Sequence, residues 1–198
     1  MQIRFLGPRE RERVGAAIIQ QIRLKKRSKK VIKFVRTTFS QTPLNERSTS
    51  IVEGLLLAAQ REHEEKKPPF YGNLLANIVF TPRISRAHGN LLIKIGQSLS
   101  YHLLCLLSLF TQKNKFKLRQ GDYRGTTEIS LDKLSLLQES FGLARLELIN
   151  IPGDAILGLT DINPARMDLN GEGRILFQLM ELSKIDFHEL TNMAVLFE

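Results

Sequence analysis

Apolar residues recur at helical spacing along most of this chain. The cleanest stripe repeats at i, i+4, i+7, i+8 and i+11, and its members are Leu99, Leu103, Leu106, Leu107 and Phe110. This spacing puts apolar side chains on one face of a helix and predicts that the helix packs against a core. A bilayer span needs about 20 apolar residues, and the stripe is shorter, so we interpret it as a core helix.

Capping residues mark the starts of the other predicted helices. Ser50-Ile51-Val52-Glu53 has the form of a capping box, in which the hydroxyl and the carboxylate satisfy backbone donors at a helix start. A helix is therefore predicted over 50–65, and Pro68 and Pro69 are expected to stop it. A short helix over 70–80 follows. Four further capping side chains precede apolar-periodic segments and predict helices over 85–98, 130–142, 170–182 and 186–197: Ser85, Ser130, Asn170 and Asp186.

Two short strands are predicted near the C-terminal end, over 155–159 and 166–169, around a turn at 161–164. A strand–turn–strand unit between two helices is the outline of a winged-helix module. We therefore expect a mainly α fold in which a helical core is followed by a small winged-helix-like module with a short β-hairpin. The predicted parts are a basic N-terminal helix and loop over 1–47, the core over 48–112, a basic connector over 113–124 and the module over 125–198.

The compartment is predicted from two features of the sequence. Cys105 is the one cysteine among 198 residues, which excludes an internal disulfide framework and fits a reducing compartment. The first residues include Arg4 and lack the apolar stretch of a secretory signal. We therefore expect a cytoplasmic protein.

Charge is distributed very unevenly along the sequence. The first 36 residues contain twelve Lys or Arg against two Glu, a net +10, whereas the whole chain carries +9. Segment 113–124 adds +4, and segment 125–198 carries −7. This asymmetry predicts an anionic partner for the basic segments. Nucleic acid is the leading candidate, because clustered Lys and Arg neutralise phosphates.

The candidate nucleic-acid-binding residues come from the N-terminal arm, residues 1–47, and from the connector: Arg23, Lys25, Lys26, Arg27, Lys29, Lys30, Lys33, Arg36, Lys113, Lys115, Lys117 and Arg119. Other uses of these charges stay open. The arm could be solvated without a partner, or bind an anionic membrane surface, which we regard as the weaker candidate. The arm of one copy could also bind the acidic module of another and form a homo-oligomer. A helix beginning at Pro8 is expected to pack on the core through Val14 and Ile18.

No metal, cofactor or small-molecule site is predicted. His63 is followed by Glu64, but Lys67 stands where a second zinc-binding His would have to be. Residues 161–165 begin like a calcium loop and lack its third oxygen ligand and its glycine. The sequence contains neither a nucleophile elbow of the form GxSxG nor a phosphate-binding GxxxxGK[ST] loop.

An enzymatic alternative rests on Arg83 and His88. Their spacing resembles the Arg-x4-6-His signature of helical ribonucleases found in bacterial toxins and defence systems. In such a site the His would act as a general acid or base, and the Arg would stabilise phosphate charge. An ordinary helix start would explain the same two residues.

Several segments together resemble the abortive-infection alpha family of bacterial proteins. They are Leu74-Leu75-Ala76 in its helical setting, Leu99-Ser100, the stretch from Leu136 through Phe141-Gly142-Leu143 to Ile149, and Leu169-Asn170-Gly171-Glu172-Gly173. The resemblance covers about 68–182. Asn170 stands where the family has Thr, and the arm before residue 48 has no counterpart. The resemblance implies an intracellular bacterial protein involved in phage defence, and we expect a non-enzymatic binding or regulatory role.

Overall fold

The computed structural model describes residues 54, 62–79, 81, 84–126, 128–152 and 158–198. The predicted helix from Pro8 and the basic arm lie outside these residues. The described part is mainly helical and contains one two-stranded antiparallel sheet, as predicted. It forms two compact units. The first contains the described residues up to Tyr101 together with Leu179–Glu181, and the second contains His102–Gln178 and Leu182–Glu198.

The first unit contains two complete helices, α1 over Pro68–Val79 and α2 over Arg86–Ser98. Helix α1 begins two residues before its predicted start, because proline lacks the N–H that the first helical turn leaves unpaired. Its four most deeply buried side chains have helical spacing and are Tyr71, Leu74, Leu75 and Ile78. Helix α2 is confirmed as predicted: the Ser85 hydroxyl accepts the N–H of His88 at 3.1 Å and caps its start.

The predicted helix over 50–65 is wrong at its end. Gly54 is helical, but residues 62–64 have no helical structure. The Glu62 carboxylate accepts the backbone N–H groups of His63 at 2.9 Å and Glu64 at 3.1 Å. A side chain that binds the backbone locally in this way offers an alternative to helical hydrogen bonds. The helical spacing before residue 62 therefore does not continue to residue 65.

The second unit is built on α3, Tyr101–Thr111, whose first residue belongs to the first unit. Every residue from 104 to 110 is buried, as expected for the central helix of a core. Helix α4 covers Leu131–Arg145 and is capped by Ser130, as predicted, but it continues three residues beyond 142. Single 3-10 turns lie at Lys113–Lys115, Leu159–Asp161, Pro164–Arg166 and Leu182–Lys184.

The sheet pairs strands that differ in part from the predicted pair. Strand β1 covers Ile149–Asn150 and runs antiparallel to β2, Asp168–Leu169. Strand β2 lies within the predicted strand over 166–169. The predicted strand over 155–159 is wrong at Leu159, which belongs to a 3-10 turn, while 155–157 lie outside the described residues. Ile149 and Asn150, which pair with β2, lie outside both predicted strands.

Two more helices follow the sheet, α5 over Gly171–Leu179 and α6 over Phe187–Leu196. Asn170 precedes α5 as predicted, but the predicted helix over 170–182 is wrong at its end, because α5 stops at Leu179 and Leu182 begins a 3-10 turn. The Asp186 carboxylate caps α6 by accepting the N–H of His188 at 2.9 Å. The first turn of helix α5 lies very close to the backbone of Leu148, the residue before β1. A Cβ added to Gly173 would lie 2.8 Å from the carbonyl carbon of Leu148 and closer still to its oxygen. Only glycine fits there without movement of the backbone.

Within the described ranges, none of the helices is long and apolar enough on its own to cross a membrane, and only α2 and α3, taken together as a bent pair, reach the required length and composition.

Residues 113–124 lie in the second unit, where Leu118 and Tyr123 are buried. The predicted four-part division of the chain stays a prediction, because its first part and the beginning of its second lie outside the described residues.

Candidate nucleic-acid interface

Four of the twelve predicted basic residues are described, and they lie in the segment that follows α3. The Lys113–Lys115 turn is closed by the N–H of Phe116, which donates to the carbonyl of Lys113 at 3.0 Å. The chain then becomes extended at Phe116. Successive side chains of an extended chain point to opposite sides. Here Lys115 and Lys117 are exposed, while Phe116 is half-buried and Leu118 is buried.

Backbone hydrogen bonds hold this extended segment in place. The N–H of Arg119 donates to the carbonyl of Phe197 at 3.2 Å, and the carbonyl of Arg119 accepts the N–H of Ala165 at 3.3 Å. The buried Tyr123 hydroxyl donates to the same Phe197 carbonyl at 3.0 Å. Burial raises the pKa of Tyr123 to about 12, against the opposing effect of Arg119. The phenol therefore keeps its proton and its hydrogen bond at neutral pH.

The segment lines a groove with a volume of about 700 Å³. We call it the basic groove; its lining residues are Asn114, Lys115, Phe116, Lys117, Leu118, Arg119, Gln120 and Glu198. Three of these carry positive charge and one carries negative charge. The groove is thus a cationic depression on an ordered backbone, which is the kind of surface that attracts an anionic chain.

The four predicted basic residues of this segment have different surroundings. Lys113 does not line the groove: its ammonium donates to the carbonyl of Met167 at 2.9 Å and pairs with Asp168 at 2.8 Å. The Lys115 ammonium donates to Gln112 at 2.8 Å and remains exposed, as does Lys117. The guanidinium of Arg119 lies 4.8 Å from the centre of the Tyr123 ring. Lys115, Lys117 and Arg119 are therefore the basic residues that line the groove, and the Arg119 guanidinium also donates to the carbonyl of Asp122 at 2.8 Å.

An aromatic pair adjoins the groove. The ring of Phe116 stacks on the ring of Phe187, with centroids 5.0 Å apart and planes inclined by 21°. Phe187 is 55% exposed although it is a large apolar side chain. Helical spacing and capping residues do not connect two residues 71 positions apart. An aromatic at the first position of α6, directly after its cap, was the signal available.

Acidic groups also lie near these residues. Glu198 lines the groove, and its backbone carbonyl accepts the Lys133 ammonium at 2.9 Å. The carboxylate of Asp186, next to Phe187 in the chain, is held by the N–H of His188. Glu189, in the first turn of α6, is half-buried. Positive charge is therefore concentrated along 115–119, and the neighbourhood of Phe187 is acidic.

Of the other predicted site residues, His88 is the one within the described ranges. The eight basic residues of the arm and Arg83 lie outside the described residues. His88 is half-exposed on α2, where its N–H takes part in the helix cap. The ribonuclease alternative stays a prediction. Among the described residues, no group of three or more His, Cys, Asp or Glu side chains is arranged to hold a metal ion.

A second cleft, in the first unit, contains a cluster of paired charges. Its volume is about 350 Å³. Lys67, only 2% exposed, pairs with Glu62 at 2.5 Å, and the Tyr71 hydroxyl lies 3.1 Å both from that carboxylate and from the carbonyl of Gly96. The Glu64 carboxylate accepts the N–H of Tyr101 at 2.7 Å. These contacts fasten 62–67 to α1 and to the end of α2, which is a structural role.

The charges of this cluster shift each other's titration. Burial alone would raise the pKa of Glu62, but the hydrogen bonds from Lys67 and from the Glu64 backbone, with the charge of Lys67, hold it below its ordinary value. Burial raises the pKa of Tyr71 well above its usual range, and the negative charge of Glu62 raises it further. At neutral pH the cluster therefore contains an ionised Glu62 beside a protonated phenol.

No protein-family model, curated protein or solved structure matches this chain. The resemblance to the abortive-infection alpha family therefore stays a prediction.

Proposed function

We propose that this protein is a non-enzymatic bacterial binding protein of the cytoplasm, and that its basic groove binds the phosphate backbone of a nucleic acid. A regulatory role in phage defence, as the family resemblance implies, belongs to the same proposal. So does a winged-helix-like character of the module formed by α4, the sheet and α5.

The observation that carries the proposal is the concentration of cations along 115–119. Lys115 ends the 3-10 turn, Lys117 and Arg119 follow at every second position, and all three line one groove in a segment that the buried Leu118 anchors. Alternate residues of an extended chain are about 6.6 Å apart. A row of cations at this spacing can contact successive groups of a polyanion without rearrangement. Because the backbone is already ordered by hydrogen bonds, binding does not have to order it.

The charge of the rest of the chain supports the same partner. The first 36 residues carry +10 and can add further phosphate contacts to those of the groove. The acidic segment 125–198 would repel a polyanion and so direct it toward the basic segments. Head-to-tail association of two copies would use the same charges and is an outcome of the test.

The test is the salt dependence of binding to a random-sequence, fluorescently labelled RNA, measured by anisotropy between about 50 and about 200 mM salt. The slope of log affinity against log salt is negative, and each lost phosphate contact reduces its magnitude by about 0.7 for a single strand. We expect the double variant Lys115→Ala, Lys117→Ala to bind more weakly and to reduce the magnitude of the slope by about 1.4.

The matched control is the double variant Lys94→Ala, Arg145→Ala, which removes the same charge from two exposed residues that do not line the groove. The control should keep the slope of the parent chain. Equal effects of the two variants would show that only net charge matters, and no affinity at low salt would disprove the proposal. Salt-sensitive self-association seen by light scattering, without RNA binding, would favour the oligomer.

A further inference from the structure

We propose that the basic groove selects single-stranded over double-stranded nucleic acid, because an unpaired base stacks on the exposed ring of Phe187. This inference rests on the proposed function and adds the class of ligand. The shared chemistry is an unpaired base on a phosphate backbone, which single-stranded RNA and DNA both supply.

The aromatic pair is built to present a ring to solvent. Phe116 lines the groove and covers one side of the Phe187 ring, with 5.0 Å between centroids. Phe187 nevertheless keeps 55% of its surface exposed. Phe187 is the first residue of α6, and its backbone is fixed by the Asp186 cap. The ring is therefore held by its neighbour and by the helix start while most of its surface remains open.

Charge divides the surface into a phosphate side and a base side. Lys115 and Lys117 flank Phe116 in the sequence and are exposed, so phosphates can lie on both sides of the aromatic pair. Asp186 and Glu189 are one and two residues from Phe187 in the chain, and their negative charge disfavours phosphate there. A neutral base can occupy the position next to Phe187 while its phosphates contact the lysines. In a duplex the bases are paired and stacked inside, and phosphates of both strands face outward.

The shape of the site points the same way. Major-groove recognition of duplex DNA uses a protruding helix or β-ribbon. The basic groove is a depression lined by a 3-10 turn and an extended segment. Proteins that bind single strands combine a positive groove with aromatic rings on which bases stack. The described residues at 114–120 and 187 match that combination.

The experiment compares labelled single-stranded RNA, single-stranded DNA and a DNA duplex of the same sequence, all at one salt concentration and with the full chain. We expect both single strands to bind at least about tenfold more tightly than the duplex. Phe187→Ala should weaken single-strand binding about 5- to 150-fold, as loss of one stacked base does, and should leave duplex binding unchanged. Phe187→Tyr should retain affinity because it keeps the ring.

Val195→Ala is the matched control, since Val195 lies on the same helix and is 57% exposed. It should leave all three affinities unchanged. Equal binding of single strands and duplex, with no effect of Phe187→Ala, would overturn this inference and leave the proposed function standing. Loss of affinity in the Phe187→Tyr variant would also overturn it, because stacking would then not be the cause. Absence of binding to all three probes would instead disprove the proposed function.

Discussion

Replacing Gly173 by alanine tests the closest backbone contact in the second unit. Gly173 lies in the first turn of α5, and an added Cβ would meet the Leu148 carbonyl group, with 2.8 Å to its carbon. The Leu148 oxygen also accepts the N–H of Asn170 at 2.9 Å. Because the obstacle is backbone and not a flexible side chain, helix α5 and the chain just before β1 have to move apart. That movement strains or breaks the hydrogen bond.

The expected cost follows from these two effects. Overpacking of a well-packed site costs about 1–3 kcal/mol. A weakened backbone hydrogen bond adds about 0.5–1.5 kcal/mol. The higher helix propensity of alanine returns at most about 1 kcal/mol. We therefore expect Gly173→Ala to lower the free energy of unfolding by about 0.5–4.5 kcal/mol, which corresponds to a fall in Tm of about 1–18 °C for a chain of this size.

The assay is thermal and urea unfolding followed by circular dichroism, with Gly142→Ala as the matched control. Gly142 also lies in a helix, α4, but nothing lies within 4 Å of the position its Cβ would take. The control should gain about 0.5–1 kcal/mol, because alanine restricts the unfolded chain more than glycine does. If Gly173→Ala were as stable as the parent or the control, the close approach of α5 to Leu148 would be refuted.

Three further predictions concern the first unit, and each is measured by urea unfolding. Tyr71→Phe should lower the free energy of unfolding by about 1–3 kcal/mol, because it removes the hydroxyl that is within hydrogen-bonding distance of the Gly96 carbonyl and the Glu62 carboxylate. An unchanged unfolding midpoint would contradict that role. Ser85→Ala should cost about 1 kcal/mol through loss of the α2 cap, whereas Ser85→Asp should retain most of it. Because the pKa of Glu62 is lowered by folding, its contribution is present above the unfolded value near 4.5 and is lost as the pH falls through the folded value. The Glu62→Gln variant should therefore lose less stability than the parent on acidification below about pH 4.5, and equal losses would contradict the assignment.

The helix starts were predictable because they depend on residues close in sequence. Ser85, Ser130 and Asp186 each cap a helix by accepting an N–H two or three residues ahead. The mainly α character followed from apolar spacing in the same way. Apolar spacing failed to predict the end of the helix over 50–65, because the Glu62 carboxylate accepts the N–H groups of the next residues and so competes with helical hydrogen bonds.

Contacts between distant residues could not be predicted from a single sequence. The register of the sheet, Ile149 opposite Leu169, depends on how the intervening chain turns, and the predicted strand over 155–159 was wrong at Leu159. The basic character of 113–119 was visible as composition, but the withdrawal of Lys113 into a pair with Asp168 was not. The stacking of Phe116 on Phe187, which supplies the most specific feature of the candidate site, likewise required the fold.

The most direct test of nucleic-acid binding at the basic groove is a map of where a bound strand touches the chain. A single-stranded RNA containing 4-thiouridine is bound to the full chain, photo-crosslinked and digested, and the modified peptides are identified by mass spectrometry. We predict adducts within 114–120 and at or next to Phe187, which disappear when unlabelled single strand competes. Competable adducts elsewhere in the chain, with none in 114–120 or at Phe187, would contradict the assignment of the groove.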